Sequence, residues 1–356
     1  MLRCEACGRE YGGDAWRCDC GHALDFADPP RPDRARPETL PRDRGLWAFE
    51  EFLPMDTDVT LGEGWTPLVE APEWDCQFKL EYVFPTGSFK DRGAATTLSW
   101  AAERGVDRVV EDSSGNAGQA IATYAARAGI DAEVYVPADA KPAKLRAIER
   151  AGAEAVRIEG DRQAVTDACV ERVEAGDGWY ASHAWNPAFF AGTATFALEL
   201  AAQRDWDVPD AVVTPLGHGT LFLGAYRGFR ALYDAGWTDA MPTLLGAQAA
   251  GSAPIVAALD GEDAAAGDND AADGIQIASP AREDQILDAI AATDGGAIAL
   301  DAGATGAELD RLHAAGFYTE PTCATAPAAL ETFRERGVVA PEDEVVVALT
   351  GSGLKT

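Results

Sequence analysis

Apolar and polar residues alternate in regular blocks through the middle of the chain, from Asp107 to Gly176. Short apolar runs in RVVEDSS, DAEVYVP and EAVRIEG have the length and the β-branched content of buried strands. Longer segments with helical spacing, such as NAGQAIATYAARAG and PAKLRAIERAG, lie between them and end at glycine. Strands that alternate with helices, without hairpin turns, predict βαβ crossovers and a parallel sheet.

Similar blocks continue towards the C-terminus. TATFALELAAQ predicts a helix, while DAVVTPLG and EVVVALTGSG predict strands that run into glycine turns. The low-complexity acidic stretch from Asp260 to Asp273 predicts an exposed loop between these strands. The chain is therefore expected to have an α/β fold, and its length of 356 residues suggests two domains, or one large fold with an appendage.

The first 45 residues show no such blocks. Four cysteines lie on two turns within residues 1–26: Cys4, Cys7, Cys18 and Cys20. Tetrahedral zinc requires four such ligands, although the second turn is one residue short and His22 could replace Cys20. The alternative is a ribbon that no longer holds metal, and in either case the role is structural. Residues 27–45, rich in proline and arginine, predict a linker.

The charge of the chain excludes several classes of partner. Lys and Arg number 29 against 59 Asp and Glu, and the resulting net charge of −30 repels nucleic acid and anionic lipid. Because the acidic residues are spread along the chain, they indicate a surface adapted to high salt. No signal peptide or membrane span is evident, and the seven cysteines suggest a cytoplasmic protein with reduced thiols.

Polar clusters follow three of the predicted strands, at 111–116 (EDSSGN), 214–220 (TPLGHGT) and 349–353 (LTGSG). Ligand sites of open α/β sheets lie beyond the carboxyl ends of strands, so these clusters predict one cleft. The turn Gly217-His218-Gly219-Thr220 precedes a helix and is suited to a single phosphate. Ser113, Ser114 and Asn116 could be helix caps, but a cap needs only one such side chain.

Lys90 is one of only five lysines, and it lies in FPTGSFKDR at the predicted start of a helix. A helix N-terminus disfavours a cation, so a structural lysine is unexpected there. A lysine whose amine must be neutral part of the time, as a nucleophile for a carbonyl, suits this position. The alternative is an ion pair with Asp91 or another acid.

Four motifs, FPTGSFKDRG, SSGNAG, PLGHGT and TGSGLK, occur in the same order as in threonine synthases, which are fold-type II pyridoxal-phosphate (PLP) enzymes. GEGWTPL, KLE, GIQIASPARE and GFYTEPTCATA are also similar, so the resemblance extends from about Leu61 to the C-terminus. The cysteine-rich start resembles the ribbon of archaeal members. The resemblance implies two doubly wound parallel-sheet domains with the cofactor in the cleft, a large one (46–92 and 186–356) and a small one (93–185), and a homodimer.

The resemblance also implies roles for individual residues. Lys90 would bind PLP covalently and then act as the base at the substrate Cα. The other cofactor contacts would come from Asn116, Gly217, His218, Gly219, Thr220 and Thr350. Ser113, Ser114 and Asn186 would contact the amino-acid substrate, with the two serines at its carboxylate.

Three substitutions bear on the substrate. Phe189 and Ala194 stand where many threonine synthases carry an arginine and a lysine, and Phe84 replaces a common asparagine. Thr193, Thr195, His183 and Arg92 could partly compensate for the lost cations. Three functions are therefore considered: threonine synthase acting on O-phosphohomoserine, a related enzyme of the serine/threonine ammonia-lyase type, and a non-catalytic paralogue. The retained cofactor residues disfavour the last.

Overall fold

The computed structural model describes residues 1–56 and 59–355. Its strands are β1 Leu2–Arg3, β2 Glu10–Tyr11, β3 Asp25–Phe26, β4 Leu68–Ala71, β5 Cys76–Lys79, β6 Arg108–Glu111, β7 Asp131–Pro137, β8 Glu154–Ile158, β9 Trp179–Tyr180, β10 Ala211–Pro215, β11 Thr243–Ala249, β12 Gly296–Leu300 and β13 Val345–Ala348.

The helices alternate with these strands over most of the chain. They are α1 Lys90–Glu103, α2 Asn116–Ala128, α3 Pro142–Arg150, α4 Arg162–Glu174, α5 Pro187–Gln203, α6 Thr220–Asp234, α7 Pro254–Asp260, α8 Glu262–Ala265, α9 Glu283–Ala292, α10 Ala302–Ala314 and α11 Pro321–Glu335. Shorter 3-10 segments occur at Arg42–Phe52, Asp273–Ile275 and Gly353–Lys355. Among the described residues, none of the helices has the length and apolar character needed to cross a bilayer.

The chain forms two compact units. Unit 1 contains Met1–Pro32, Leu40–Glu63 and Lys90–Thr193, and unit 2 contains Asp33–Thr39, Gly64–Phe89 and Ala194–Thr356. The chain passes from unit 1 to unit 2 within α5.

Unit 1 is built on a four-stranded sheet in the order β8-β7-β6-β9, and every pairing in it is parallel. The predicted βαβ pattern is therefore confirmed here. Local signals explain the helix ends: Gly129 ends α2 in a left-handed conformation, and the Asp161 carboxylate accepts a hydrogen bond from the Ala164 N–H at the start of α4. The carboxyl ends of β6 and β9 are neighbours, since Val110 pairs with Tyr180.

The cysteine-rich start belongs to unit 1. Its strands β2, β1 and β3 form a small antiparallel sheet. Trp16 makes edge contacts with Tyr180 and Trp185, at 5.2 Å between ring centroids in each case. Phe26 meets Trp100 of α1 in the same way, at 5.2 Å. Aromatic packing therefore attaches this segment to the α/β part of the unit.

Unit 2 contains a six-stranded sheet in the order β12-β11-β10-β13-β5-β4. Its first five strands are parallel, whereas β4 at the edge is antiparallel to β5. The strands are apolar along their whole length, and α11 lies against them with the buried side chains of Leu330 and Phe333. Because β10 and β13 are direct neighbours, the segments that follow them leave the sheet side by side.

The acidic stretch from Asp260 to Asp273 differs from the exposed loop that its composition predicts. It contains α8, and Ala265, Asn269 and Ala272 within it are buried. The Asn269 amide donates hydrogen bonds to the Leu300 carbonyl and to Thr305 Oγ1, both at 2.8 Å. Alternation of charged residues with small buried ones therefore holds this stretch against unit 2.

Candidate active site

Lys90 is the first residue of α1 and is half-buried. Its Nζ lies 5.9 Å from the centroid of the Phe189 ring. Phe189 is fully buried and lies on Gly93, one turn after Lys90, where any Cβ would clash with the phenyl ring. Phe189 thus forms a fixed apolar surface beside the lysine amine.

The loop after β6 carries three of the predicted site residues. Ser113, Ser114 and Asn116 are half-buried, and Asn116 begins α2. The backbone is closely folded here, because a Cβ on Gly118 would overlap the Ser113 carbonyl. Ser113 Oγ accepts a hydrogen bond from the Gly115 N–H at 3.3 Å. The loop and the first turn of α2 present polar groups at a helix N-terminus, as anion binding requires.

A buried acid–imidazole pair lies in the same unit. Glu111 is the last residue of β6, and His183 follows β9, the neighbouring strand. Glu111 Oε1 is 2.6 Å from His183 Nδ1, and Oε2 accepts the His183 backbone N–H at 3.3 Å. Burial, together with the charge of Asp112, raises the pKa of Glu111 well above its ordinary value. The His183 ring lies 6.1 Å from the Phe189 ring, between centroids.

Asn186 is buried just before α5, and its side chain is bonded to the backbone. Its Nδ2 donates to the Tyr180 carbonyl at 3.1 Å, and its Oδ1 accepts the Ala188 N–H at 3.0 Å. Asn186 therefore caps α5 and ties it to the end of β9, which fixes the turn that carries Phe189.

In unit 2, the turn Gly217-His218-Gly219-Thr220 connects β10 to α6. Gly219 has a φ of 75°, and a Cβ there would lie 2.6 Å from Ile286. A Cβ on Gly217 would lie 3.2 Å from Ile275. Both positions therefore require glycine, and the turn offers backbone N–H groups at the positive end of a 15-residue helix.

Thr350 lies just beyond β13 and is buried. Its carbonyl accepts the N–H of Phe89, the residue before Lys90, at 3.1 Å. The Cys323 sulfur accepts the N–H groups of Thr350 and Gly351 at 3.1 and 3.0 Å, and it lies 3.4 Å from Thr350 Oγ1. Burial raises the pKa of Cys323 to about 12, so the thiol keeps its proton and fixes the Thr350 turn.

These residues fit the requirements of PLP. The two glycines at 217 and 219 form a cradle that any side chain would fill, and a phosphate is the natural ligand of such a turn. Ser88 Oγ is fully buried, two residues before Lys90, and has no hydrogen-bond partner among the described residues. A buried hydroxyl of this kind indicates a polar ligand near Lys90. Lys90 supplies the amine that a carbonyl cofactor needs.

The four cysteines of the N-terminal segment come together. The sulfur atoms of Cys4, Cys7, Cys18 and Cys20 all lie within 4.8 Å of one another. Cys4 and Cys20 are 3.6 Å apart and Cys7 and Cys18 are 3.4 Å apart, far beyond the length of a disulfide. His22 Nδ1 is 3.4 Å from the Cys20 sulfur, so the alternative ligand is also close. This arrangement has the chemistry of a structural zinc site.

The sequence motifs identify Lys90, the two loops and the cysteines, but not the groups that hold them. Glu111 and His183 are 72 residues apart along the chain, and Cys323 and Thr350 are 27 apart. The available signal was the glutamate at the end of an otherwise apolar strand, where burial demands a partner.

Comparison with known proteins agrees with this geometry. Residues 59–351 match the family described as pyridoxal-phosphate dependent enzyme. The chain is 31% identical over 377 residues to a threonine synthase of Methanocaldococcus jannaschii, covering 100% of this chain and 93% of that protein. It is 33% identical over 323 residues to a threonine synthase of Mycobacterium tuberculosis, covering 86% and 87% of the two chains.

Solved structures with the same fold act on several amino acids by their names. An aspartate racemase is 26% identical with a TM-score of 0.68, covering 81% of this chain and 90% of that one. A bacterial-type threonine deaminase, from the organism abbreviated T.th., is also 26% identical, with a TM-score of 0.67 and coverage of 81% and 92%.

Proposed function

Because this chain belongs to the family of pyridoxal-phosphate dependent enzymes that includes the threonine synthases, we propose that it is a carbon–oxygen lyase acting on an amino acid. The observation that carries this proposal is Lys90 at the start of α1, within motifs that keep the order found in threonine synthases. When bound, PLP withdraws electrons from the Cα of the amino acid and so makes the Cα–H bond acidic.

The residues of the chain would then divide the work. Lys90 would hold the cofactor by its amine and afterwards take the proton from Cα. Asn116 would donate a hydrogen bond to the cofactor ring, and Thr350 would meet the ring nitrogen with a neutral hydroxyl. An uncharged partner does not enforce protonation of the ring, which favours elimination over transamination.

Two anionic groups need donors in this scheme. The turn at 217–220 would hold the cofactor phosphate by its backbone N–H groups, because the helix dipole of α6 favours a negative charge there. Ser113 and Ser114 would hold the substrate carboxylate in front of α2. Neither site needs a lysine or arginine, which suits a chain with only five lysines.

The first candidate reaction is that of threonine synthase: elimination of phosphate from O-phosphohomoserine and addition of water to give L-threonine. It is favoured by the relatives named threonine synthase, two of which align over 99% or more of this chain.

The second candidate is elimination from a hydroxy amino acid, of the serine/threonine ammonia-lyase type. It is favoured by Phe189, since a buried phenyl ring beside Lys90 offers a substrate phosphate neither charge nor hydrogen bonds. A threonine deaminase is also among the structures that share the fold.

A turnover assay tests these candidates. The PLP-loaded protein is incubated in high salt with O-phosphohomoserine, L-threonine or L-serine, and phosphate, ammonia and 2-oxo acid are measured. Phosphate release from the first substrate supports threonine synthesis, and ammonia with a 2-oxo acid from the others supports the lyase. No product from any of the three, with PLP bound, would contradict the proposal.

We further propose that Cys4, Cys7, Cys18 and Cys20 hold one structural zinc ion. Four sulfur ligands would leave no open coordination position, so the ion would stabilise the N-terminal segment and take no part in catalysis. Metal analysis of protein purified without chelators is expected to find about one zinc per chain. The Cys4→Ser variant should lose it, whereas Cys169→Ser, in the core of unit 1, should retain it. Absence of zinc in the wild type would contradict the assignment.

A further inference from the structure

The Glu111–His183 pair lies where a ligand of unit 1 is expected. Glu111 ends β6 and His183 follows β9, and these neighbouring parallel strands point their carboxyl ends the same way. The predicted substrate residues Ser113 and Ser114 follow the same end of β6. Side chains at this edge of a parallel sheet are placed for ligand binding.

Phe189 connects the pair to Lys90. The Lys90 Nζ and the His183 ring lie 5.9 and 6.1 Å from the centroid of the same phenyl ring. Gly93 and Asn186 fix that ring, the first by leaving room for it and the second by capping the helix that carries it. The lysine amine and the imidazole therefore share one rigid apolar surface.

The hydrogen bond within the pair decides which imidazole nitrogen is available. Nδ1 faces Glu111 Oε1 at 2.6 Å, so a proton is shared between these two atoms. The low-dielectric surroundings of the fully buried Glu111 disfavour a net negative charge, so the pair retains a second proton. That proton is on Nε2, whichever of Nδ1 and Oε1 holds the shared one. The pair is then neutral overall and offers an N–H donor.

The charged surroundings of Glu111 support this neutral state. The titratable groups that interact with it include Lys90 and Asp112 at the ends of α1 and β6, Arg162 of α4, Cys169 of α4 and Tyr180 of β9. Lys90 and Arg162 oppose Asp112, and the Asp112 carboxylate is itself bonded to Tyr180 and Thr166.

We propose that His183, held by Glu111, is a catalytic proton donor, and that the substrate of this site is an amino acid with an uncharged hydroxyl side chain. This inference rests on the proposed lyase function. A phosphate dianion needs cations, and Phe189 with a neutral acid–imidazole pair supplies none. A hydroxyl, by contrast, is a poor leaving group that must receive a proton as it departs.

The step balances without a further reactant. Lys90 removes the proton from Cα, and the electron pair of the Cα–H bond forms the Cα–Cβ double bond. The Cβ–O bond breaks, its electron pair stays on oxygen, and that oxygen takes the proton from His183 Nε2 and leaves as water. His183 is left with its remaining proton on Nδ1, directed at the Glu111 carboxylate. Glu111 is thus a positioning residue.

Substrate preference is the first test, and it uses the wild-type protein loaded with PLP. Changes in visible absorbance are followed while L-threonine, L-serine or O-phosphohomoserine is added. We expect L-threonine or L-serine to bind about tenfold or more tightly than O-phosphohomoserine. Tighter binding of O-phosphohomoserine would overturn the inference. A protein that takes up no PLP would instead refute the proposed function itself.

Leaving-group dependence is the second test, and it separates proton donation from a structural role. The variant His183→Asn should lose about a hundredfold or more in kcat with L-threonine or L-serine, with KM little changed. It should keep most of its activity with β-chloro-L-alanine, whose chloride leaves without a proton. Added imidazole should restore part of the lost rate. An equal loss with both kinds of substrate would overturn the inference.

A matched carboxylate provides the control. Glu133 lies on β7, next to β6, and is nearly buried in ion pairs with Arg172 at 3.1 Å and Arg108 at 3.4 Å. Glu133→Gln should leave the hydroxyl and chloride rates in the wild-type ratio. Glu111→Gln should lower the hydroxyl rate selectively, because Gln can orient the imidazole but cannot support its charge. A normal ratio in Glu111→Gln would contradict the role of Glu111.

Discussion

At the scale of single residues, Glu111 and His183 form a unit with its own proton count. Above a pH of about 6.5, the same two side chains in an unfolded chain hold one proton, on the imidazole. The buried pair holds two, because burial raises the pKa of Glu111. The folded state therefore binds one proton more than the unfolded state in this range.

This proton count predicts how stability depends on pH. Between pH 6.5 and 8.5, the free energy of unfolding of the wild type should fall relative to that of Glu111→Gln. The fall should reach up to about 1.4 kcal/mol per pH unit, as expected for one proton. Chemical denaturation of both proteins across this range checks it. A wild type that gains stability relative to the variant with rising pH would show that the carboxyl group is ionised and well paired.

Sequence motifs identify residues with distinctive local chemistry. Lys90 was predictable because a lysine in a serine- and glycine-flanked turn at a helix start has few structural explanations. The turn at 217–220 was predictable because glycine at two of its four positions is expected for close backbone approach. Glu111 and Cys323 were not, because each acts through a partner that only the fold brings near.

At the scale of elements, α1 and the first turn of α5 approach closely through glycine. A Cβ on Gly93 would clash with Phe189, and a Cβ on Gly192 would overlap the Arg92 carbonyl. These helices carry Lys90 and Phe189, so their separation sets the distance between the amine and the phenyl ring.

A pair of glycine variants tests this contact. Gly93→Ala should lower the free energy of unfolding by about 1–3 kcal/mol, because the methyl group overpacks against Phe189. Gly306→Ala is the control, since Gly306 lies within α10 and a Cβ there meets no atom within 4 Å. It should raise stability by about 0.5–1 kcal/mol. Equal effects of the two substitutions, measured by denaturant unfolding, would contradict the close packing.

The elements themselves followed the hydrophobic pattern where burial is continuous. Strands such as β7 and β8 and helices such as α2 lie where the blocks predicted them, because a buried parallel strand must be apolar throughout. The acidic stretch at 260–273 did not follow its composition, since Asn269 satisfies backbone groups of a distant strand. A single buried amide leaves no periodic signal.

At the scale of the whole molecule, the net charge of −30 acts against compaction. Acidic residues repel one another over the Debye length, which falls from about 10 Å at 0.1 M salt to about 3 Å at 1 M. Exposed ion pairs do not compensate, because each contributes little.

The thermal midpoint should therefore rise as KCl is increased from 0.1 M, with most of the electrostatic part of the rise complete by about 1 M. Differential scanning calorimetry at several KCl concentrations measures this effect. Sucrose is the control, since it favours the compact state without screening charge. A midpoint that is insensitive to KCl below 1 M would contradict a stability limited by charge repulsion.

The central claim is that Lys90 alone, of the five lysines, holds PLP. Borohydride reduction of the PLP-loaded protein fixes the cofactor to its amine, and mass spectrometry of the digested chain then locates the label. The account predicts the label on Lys90, and none in the Lys90→Ala variant. A label on Lys79, Lys141, Lys144 or Lys355, or an unlabelled wild-type chain after incubation with PLP, would contradict it.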